Sequence, residues 1–106
     1  MKELVKLVVF VPENNADEIR KTLGDAGAGK IGEYSYCSYS VKGVGRFKPN
    51  ENARPHIGTA NKLESVVEER IEVSCDKQQA LKIINLIKEV HPYEEVVIDV
   101  YPMIVL

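Results

Sequence analysis

The chain has 106 residues, of which 44% are hydrophobic and 28% charged, and its formal net charge is −2. These values are typical of one globular domain with a single core, so we predict one domain over residues 1–106. The basic side chains form no dense positive stripe, which argues against nucleic-acid binding. No apolar run reaches membrane-spanning length, and no signal-peptide pattern precedes the first predicted strand. We therefore expect a cytoplasmic protein with no membrane partner.

The two cysteines support the same compartment. Cys37 and Cys75 both lie in apolar alternating runs and lack the CxxC spacing of a redox or zinc motif. We expect buried, free thiols in a reducing environment.

The first third of the chain predicts a strand and a helix. Residues 4–11 are almost all apolar or β-branched, which favours a central strand covered on both faces. The helix that follows is predicted to begin with Asn15 as its N-cap and to stop at Gly27. Its apolar face contains Ile19 and Leu23.

A strand and a long loop are predicted next. Residues 34–42 alternate aromatic and hydroxyl side chains with the period of a strand, and Gly43 and Gly45 indicate a turn or bulge after it. The polar stretch from Phe47 to Lys62 contains two prolines and a glycine. It is long enough to be a loop with a function of its own.

The third strand, over residues 66–75, has the clearest pattern. Apolar and polar side chains alternate through it, so a shift of one residue would expose the whole apolar set. Only Glu69 breaks the pattern, because it falls on the apolar side.

The last third predicts a helix and a strand. Apolar side chains recur with helical spacing from Ala80 to Val90, in a helix capped by Asp76 and ended by Pro92. Val96 to Val105 forms the last strand, where Pro102 marks an edge or bulge because it has no N–H to donate.

The resulting order is strand, helix, strand, loop, strand, helix, strand. Two such βαβ halves can share one antiparallel sheet with both helices on one face, which is the ferredoxin-like α+β sandwich. The other face must then be polar or meet a second subunit. Tyr34, Tyr36 and Tyr39 suit such a contact, although local packing is the alternative.

Gly27 to Gly32 match the letters GxGxxG of dinucleotide-binding proteins. In those proteins the motif precedes a helix whose N-terminus faces the pyrophosphate. Here it follows a helix and precedes a strand, which favours a helix C-cap and a tight connection over cofactor binding.

Two segments in the middle of the chain carry candidate ligand-binding residues. Gly43, Gly45, Arg46 and Phe47 combine free backbone with a cation and an aromatic ring, which can hold an anion or stack on a planar ligand. The alternative is a glycine-bulged hairpin with a solvated arginine. The loop adds three further candidates, which are Pro55, His56 and Gly58. A lone loop histidine is otherwise a polar surface residue.

The third candidate segment is the turn His91-Pro92-Tyr93-Glu94-Glu95. It combines a rigid proline with groups capable of metal ligation or acid–base chemistry. His91 and Glu95 are candidate ligands of a divalent cation, whereas a cap on the last helix carbonyls is the alternative role of His91. A metal site needs about three or four protein ligands. The spacing shows no such convergence and no catalytic triad, so metal binding is a hypothesis and a catalytic dinuclear site is not expected.

Five ordered motifs together carry a family resemblance. They are Gly27-Ala28-Gly29-x-Ile31-Gly32-x-Tyr34-Ser35-x-Cys37-Ser38, Gly43-x-Gly45-Arg46-Phe47-x-Pro49, Pro55-x-Ile57-Gly58, Glu69-x-Ile71-Glu72 and His91-Pro92-Tyr93-Glu94-Glu95. The chain resembles the YqfO-type domain, the module inserted in YqfO-like proteins that are also labelled type 2 GTP cyclohydrolase I. The resemblance covers nearly the whole length.

This resemblance implies a fold like that of the nitrogen-regulatory PII protein and CutA. CutA carries a similar His-Pro-Tyr-Glu turn, so the likeness implies a homo-oligomer, a trimer rather than a dimer, and association with a divalent cation. The dinuclear metal ligands of the full-length family belong to the halves that flank the insert. The resemblance therefore implies a binding module rather than a hydrolase.

The leading hypothesis is a non-enzymatic, PII/CutA-like regulatory domain that binds a small molecule or a divalent cation. In it, Arg46 would hold an anionic group, His91 and Glu95 would orient a polar ligand or cation, and Tyr93 would shape the wall. One alternative is a metal-assisted hydrolase, and another is a module that assembles with a different protein.

Overall fold

The computed structural model describes residues 3–106. It contains four strands, two α-helices and one short 3-10 helix. In chain order these are β1 (Leu4–Pro12), the 3-10 helix (Glu13–Asn15), α1 (Ala16–Asp25), β2 (Tyr39–Phe47), β3 (Glu64–Asp76), α2 (Lys77–Val90) and β4 (Ile98–Pro102).

The four strands form one sheet in the order β2-β3-β1-β4, and every neighbouring pair is antiparallel. Each helix connects two strands that are not neighbours, and both helices pack on the same face. This arrangement is the predicted ferredoxin-like α+β sandwich. Within the described residues, no helix is long and apolar enough to cross a membrane.

The core lies between the sheet and the two helices. Leu7 and Val9 of β1 and Ile71 of β3 are completely buried there, because alternate side chains of a strand point to the same face. They pack with Ile19 of α1 and Ile83 of α2, which confirms the predicted apolar stripes. Burying each such side chain stabilises the fold by about 1.5–3 kcal/mol.

The central strand is covered on both faces, as its apolar sequence predicts. Val8 lies between Leu7 and Val9 and is also fully buried, although it belongs to the face without helices. In β3, Ile71, Val73 and Cys75 are buried, which confirms the predicted alternation in this half of the strand.

The beginning of α1 differs from the prediction. Asn15 occupies the N-cap position, but within the described residues its side chain makes no capping hydrogen bond. The Asn15 backbone, at φ −107° and ψ 0°, follows the 3-10 helix and does not have the extended conformation typical of a capping residue. The predicted stop is confirmed, since Gly27 follows the helix with a φ of +94°.

The predicted strand over residues 34–42 is wrong at its first half. The strand begins at Tyr39, and residues 34–38 belong to the connection from α1. Tyr36, with a φ of +59°, packs over Gly24 and donates its hydroxyl to Asp25 at 2.6 Å. Tyr36 therefore contacts α1 instead of pairing with a neighbouring strand.

The prediction of a turn or bulge at Gly43 and Gly45 is also wrong. Both glycines lie inside β2, and the pairing with β3 continues through them, Gly43 opposite Glu68 and Gly45 opposite Val66. The structural reason for glycine at position 45 is space. A Cβ built on Gly45 would overlap the carboxylate of Glu68.

The exception at Glu69 has a clear structural role. Its carboxylate accepts a hydrogen bond from Arg20 of α1 at 2.5 Å, and the same guanidinium donates to Ser40 of β2 at 3.0 Å. Glu69 therefore lies on the helix side because α1 supplies its counter-charge.

The remaining predictions concern the last strand and the cysteines. The last strand is shorter than predicted, and Pro102 is its final residue, on an edge of the sheet. Both cysteines are free, as expected, but only Cys75 is buried. Cys37 is half-buried because it lies in the α1–β2 connection, outside the sheet.

Candidate ligand-binding cavity

A cavity of about 400 Å³ lies at one end of the helix-free face of the sheet. This volume is within the range of small-molecule sites. Its walls come from the ends of β1, β2 and β3, from the loop after β2, and from the segment between α2 and β4. The lining residues are Phe10, Gly45, Arg46, Phe47, Lys48, Pro49, Ala53, Pro55, His56, Ile57, Glu68, Tyr93, Glu94, Glu95 and Val97.

The three candidate segments predicted from the sequence meet at this cavity. The predicted residues in its lining are Gly45, Arg46, Phe47, Pro55, His56, Tyr93, Glu94 and Glu95. Three other predicted residues, Gly43, Gly58 and His91, are outside the lining. Gly58 supports the wall from behind, because a Cβ built on it would lie 3.2 Å from the Phe47 ring.

The strand pairing places the floor of the cavity on the helix-free face. Glu68 lies between Val67 and Glu69 on β3, and Glu69 points to the helices. Alternation therefore directs Glu68 to the other face, together with Phe10, Gly45 and Phe47.

The turn after α2 is tied to this floor by a short hydrogen bond. The Tyr93 hydroxyl donates to Oε2 of Glu68 at 2.6 Å. Burial, followed by this hydrogen bond and the negative charge of Glu68, raises the pKa of Tyr93 far above its ordinary value. Tyr93 is therefore a neutral hydrogen-bond donor at physiological pH.

A second hydrogen bond ties the same turn to the loop. Oε2 of Glu94 accepts the backbone N–H of Arg54 at 2.8 Å. The loop and the turn are 40 residues apart in sequence, and this contact closes the wall between them.

His91 holds the turn from beneath rather than lining the cavity. Its side chain is buried, with 7% of its surface exposed. Nε2 lies 2.7 Å from the Phe10 carbonyl oxygen, and the Tyr93 backbone N–H donates to Nδ1 at 3.1 Å. Because a carbonyl only accepts, the network assigns the proton to Nε2 and makes the imidazole neutral.

The electrostatics of His91 agree with a neutral ring. Burial lowers the pKa of His91, because the charged imidazolium would lose its hydration. The hydrogen bond to Phe10 and the charge of Glu68 act in the opposite direction. His91 is the C-cap residue of α2, and its backbone N–H donates to the Ile87 carbonyl. The predicted cap by its side chain is not formed, because the ring nitrogens contact the Phe10 carbonyl and the Tyr93 N–H.

These contacts do not fit a cation held by His91 and Glu95. Both ring nitrogens of His91 are engaged in hydrogen bonds, and only Glu95 of the pair lines the cavity. Across residues 3–106, no group of three or more His, Cys, Asp or Glu side chains is arranged to hold a metal ion.

The cationic side chains lie at the margin of the cavity. Arg46 and Lys48 are both exposed, and neither makes an ion pair with another residue of the described part of the chain. Arg46 lies between Gly45 and Phe47 on β2, so its side chain points to the opposite face of the sheet from theirs.

Sequence reasoning missed two residues of the floor, Phe10 and Glu68. Phe10 lies within a run of apolar residues, and Glu68 has the alternation expected of any half-exposed strand. Neither residue carries a local signal of function. Only the pairing of β1 with β3 brings them to the same end of the sheet.

Comparison with solved structures defines the class of domain. CutA from Synechococcus elongatus PCC7942 superposes with a TM-score of 0.72 over 98% of this chain and 80% of that chain, at 14% identity. At this identity the likeness concerns the fold alone. The domain thus has a CutA-like, ferredoxin-like fold, and no protein-family model matches the sequence.

Sequence comparison is more specific. The "GTP cyclohydrolase 1 type 2 homolog" of Halalkalibacterium halodurans is 47% identical over 102 residues, which are 96% of this chain and 27% of that protein. A solved Bacillus cereus protein related to NIF3 shows 47% identity and a TM-score of 0.84, over 96% of this chain and 26% of its own.

The chain is therefore homologous to one domain-sized segment of the YqfO-like proteins, which confirms the resemblance carried by the five motifs. It spans about a quarter of the length of these relatives, 27% of the first. Their name describes whole proteins, of which this domain is one part.

Proposed function

We propose that the chain is a non-enzymatic, PII/CutA-like regulatory domain that binds a small molecule in the cavity between the sheet, the loop and the turn. The observation that carries the proposal is the convergence of three separate segments on one cavity of about 400 Å³. Hydrogen bonds join the turn both to the floor and to the loop. A cavity fixed in this way loses little conformational entropy when a ligand binds.

The walls indicate a ligand with a flat apolar part. Phe10, Phe47 and Tyr93 offer aromatic surface, on which planar groups pack favourably. Because β2 is an edge strand, Arg46 on the opposite face can meet only an anionic substituent that extends out of the cavity and past that edge. His91 contributes as a positioning residue, because it fixes the backbone of Tyr93.

A ligand screen tests this proposal. Nucleotides, including GTP, and small aromatic metabolites are examined by calorimetry and thermal shift on the whole chain, in parallel with divalent ions. We expect a bound compound to be weakened by Phe47→Ala and, when it is anionic, by Arg46→Ala. Lys82→Ala is the matched control, because it removes an exposed positive charge from α2, away from the cavity. Compounds that bind equally well to all three variants would refute the site.

We further propose that the domain forms a homo-oligomer, with a trimer expected rather than a dimer, in the cytoplasm. The helix-free face supports this part of the proposal, because Tyr39, Val41 and Tyr101 are exposed on it, with 67%, 49% and 44% of their surface accessible. Apolar and aromatic side chains on a sheet face with no helix cover suit contact with another subunit.

Light scattering after size exclusion measures the assembly directly. We expect the mass of three chains, and a smaller mass for Val41→Glu. Leu81→Glu is the control, because Leu81 is exposed to 70% on α2, in the helical layer. A wild-type mass of one chain at micromolar concentration would refute the oligomer without affecting the ligand site.

A binding role is also supported by the state of His91. A general base needs a free ring nitrogen within reach of a substrate proton, whereas both nitrogens of His91 are used inside the domain. We expect no turnover of GTP or of phosphoesters by the purified domain. Turnover that His91→Ala abolishes, in a variant that remains folded, would contradict a purely binding role.

A further inference from the structure

The carboxylate of Glu68 dominates the polar chemistry of the cavity floor. Its Oε2 accepts the Tyr93 hydroxyl at 2.6 Å, and its Oε1 lies over Gly45, in the space that a side chain there would fill. An ionised carboxylate has about four acceptor positions. Within residues 3–106 Oε1 accepts no hydrogen bond, so acceptor positions remain open to a ligand.

Within residues 3–106, Glu68 forms no ion pair. The neighbouring arginine on the same face, Arg70, lies over the Phe10 ring at 5.8 Å and forms its ion pair with Glu72 at 3.1 Å. Arg46 points to the other face of the sheet. A half-buried carboxylate without a cationic partner raises the free energy of the folded domain, because it has lost part of its hydration. A cation that enters the cavity compensates for this loss.

The walls favour the same kind of ligand. The rings of Phe10, Phe47 and Tyr93 line the cavity with Glu68, and the faces of aromatic rings attract cations. A flat cation that carries N–H donors satisfies both features, because its body packs on the rings and its N–H groups point at the carboxylate.

We propose that Glu68 determines the specificity of the cavity, and that the ligand is a planar group bearing a cationic N–H donor of the amidinium or protonated-amine class. This inference rests on the proposed function, since it names the ligand class of the same cavity. Gly45 leaves room for the carboxylate, and Tyr93 orients it.

Three probes of equal shape and different charge test the inference. Benzamidinium, benzamide and benzoate are titrated into the ¹⁵N-labelled chain, and the amide shifts of Gly45, Phe47 and Tyr93 are followed. We expect benzamidinium to bind about tenfold more tightly than benzamide, the size of effect that a charge-assisted hydrogen bond gives, and benzoate to bind most weakly.

The variants assign the preference to Glu68. Glu68→Gln keeps an acceptor for the Tyr93 hydroxyl and removes the charge, so benzamidinium should fall to the affinity of benzamide, which itself stays unchanged. Gly45→Ala should act in the same direction by displacing the carboxylate. Glu64→Gln removes a charge from the same strand outside the cavity lining and should change nothing. A dispersed spectrum confirms the fold of each variant.

The possible outcomes separate the two proposals. Binding of benzamide or benzoate as tight as that of benzamidinium would overturn the ligand class while supporting the cavity. A tenfold preference that survives Glu68→Gln would overturn the role of Glu68. Failure of all three probes to shift the cavity amides would overturn the ligand class, whereas the cavity itself is refuted only if the ligand screen also finds no compound that Phe47→Ala weakens.

Discussion

Replacing His91 with alanine tests how the turn beside the cavity is held. The substitution removes two hydrogen bonds, the one to the Phe10 carbonyl at 2.7 Å and the one from the Tyr93 N–H at 3.1 Å. Each contributes about 0.5–1.5 kcal/mol, and the partners left without this contact add about 1 kcal/mol or more. We therefore expect His91→Ala to lower the free energy of unfolding by about 2–4 kcal/mol.

The pH dependence gives an independent readout of the same residue. Because burial lowers the pKa of His91, the unfolded chain binds a proton at this residue more readily than the folded one. The contribution of His91 to stability is then complete above about pH 6.5, the ordinary pKa of histidine, and is lost as the pH falls below it. The wild type should therefore lose stability from pH 7 to pH 5 more steeply than His91→Ala.

Urea unfolding followed by circular dichroism, at one fixed protein concentration, measures both effects. His56→Ala is the matched control, because His56 lines the same cavity but is exposed. It should change the free energy of unfolding by less than about 0.5 kcal/mol. If His91→Ala were as stable as the wild type at pH 7 and had the same pH slope, the two hydrogen bonds would not hold the turn.

Three further experiments probe other contacts of the domain. Gly24→Ala should destabilise α1, because its Cβ would overlap the Tyr36 ring. In a Tyr36→Ala background the same change should stabilise the fold by about 0.5–1 kcal/mol through helix propensity. Thermal melts of the wild type, the two single variants and the double variant show whether the sign reverses. Arg20→Met leaves the Glu69 carboxylate, 12% exposed, without its cation. It should lower the free energy of unfolding in urea by about 1–3 kcal/mol, and adding Glu69→Gln should recover part of this loss. Above about pH 10 the unfolded tyrosine ionises, whereas the folded one, with its raised pKa, does not, so the wild type loses stability there. Tyr93→Phe should lose less stability over the same pH range. Equal alkaline slopes in the two proteins would contradict the buried hydrogen bond.

The elements that could be predicted from the sequence are those whose burial is periodic. Alternation in β3 and helical spacing in α2 each indicate which side of the element faces the core. Each pattern can be recognised without knowing which element packs against that side. The order of these elements then leaves few topologies, and the ferredoxin-like sheet is one of them. The start of β2 was mispredicted because Tyr36 alternates like a strand residue while it contacts α1.

The candidate site was predicted in part. Glycine, proline, histidine and aromatic residues mark unusual backbone or chemistry, so the segments around Phe47, Pro55 and Tyr93 could be singled out along the chain. Their meeting in one cavity is a tertiary property. The roles of His91 and Gly45 also depend on tertiary contacts. His91 contacts the Phe10 carbonyl, and Gly45 leaves space for the Glu68 carboxylate.

The sequence by itself thus determined the sandwich, its core and three of the segments around the cavity. Only the tertiary structure decided that Glu68 forms the floor and that His91 supports the wall. The physical reason is the range of the contacts. Periodicity reflects residues two to four positions apart, whereas Tyr93 reaches Glu68 across 25 residues and His91 reaches Phe10 across 81. Such pairs depend on strand register and on the path of the chain between elements, and no local pattern encodes either.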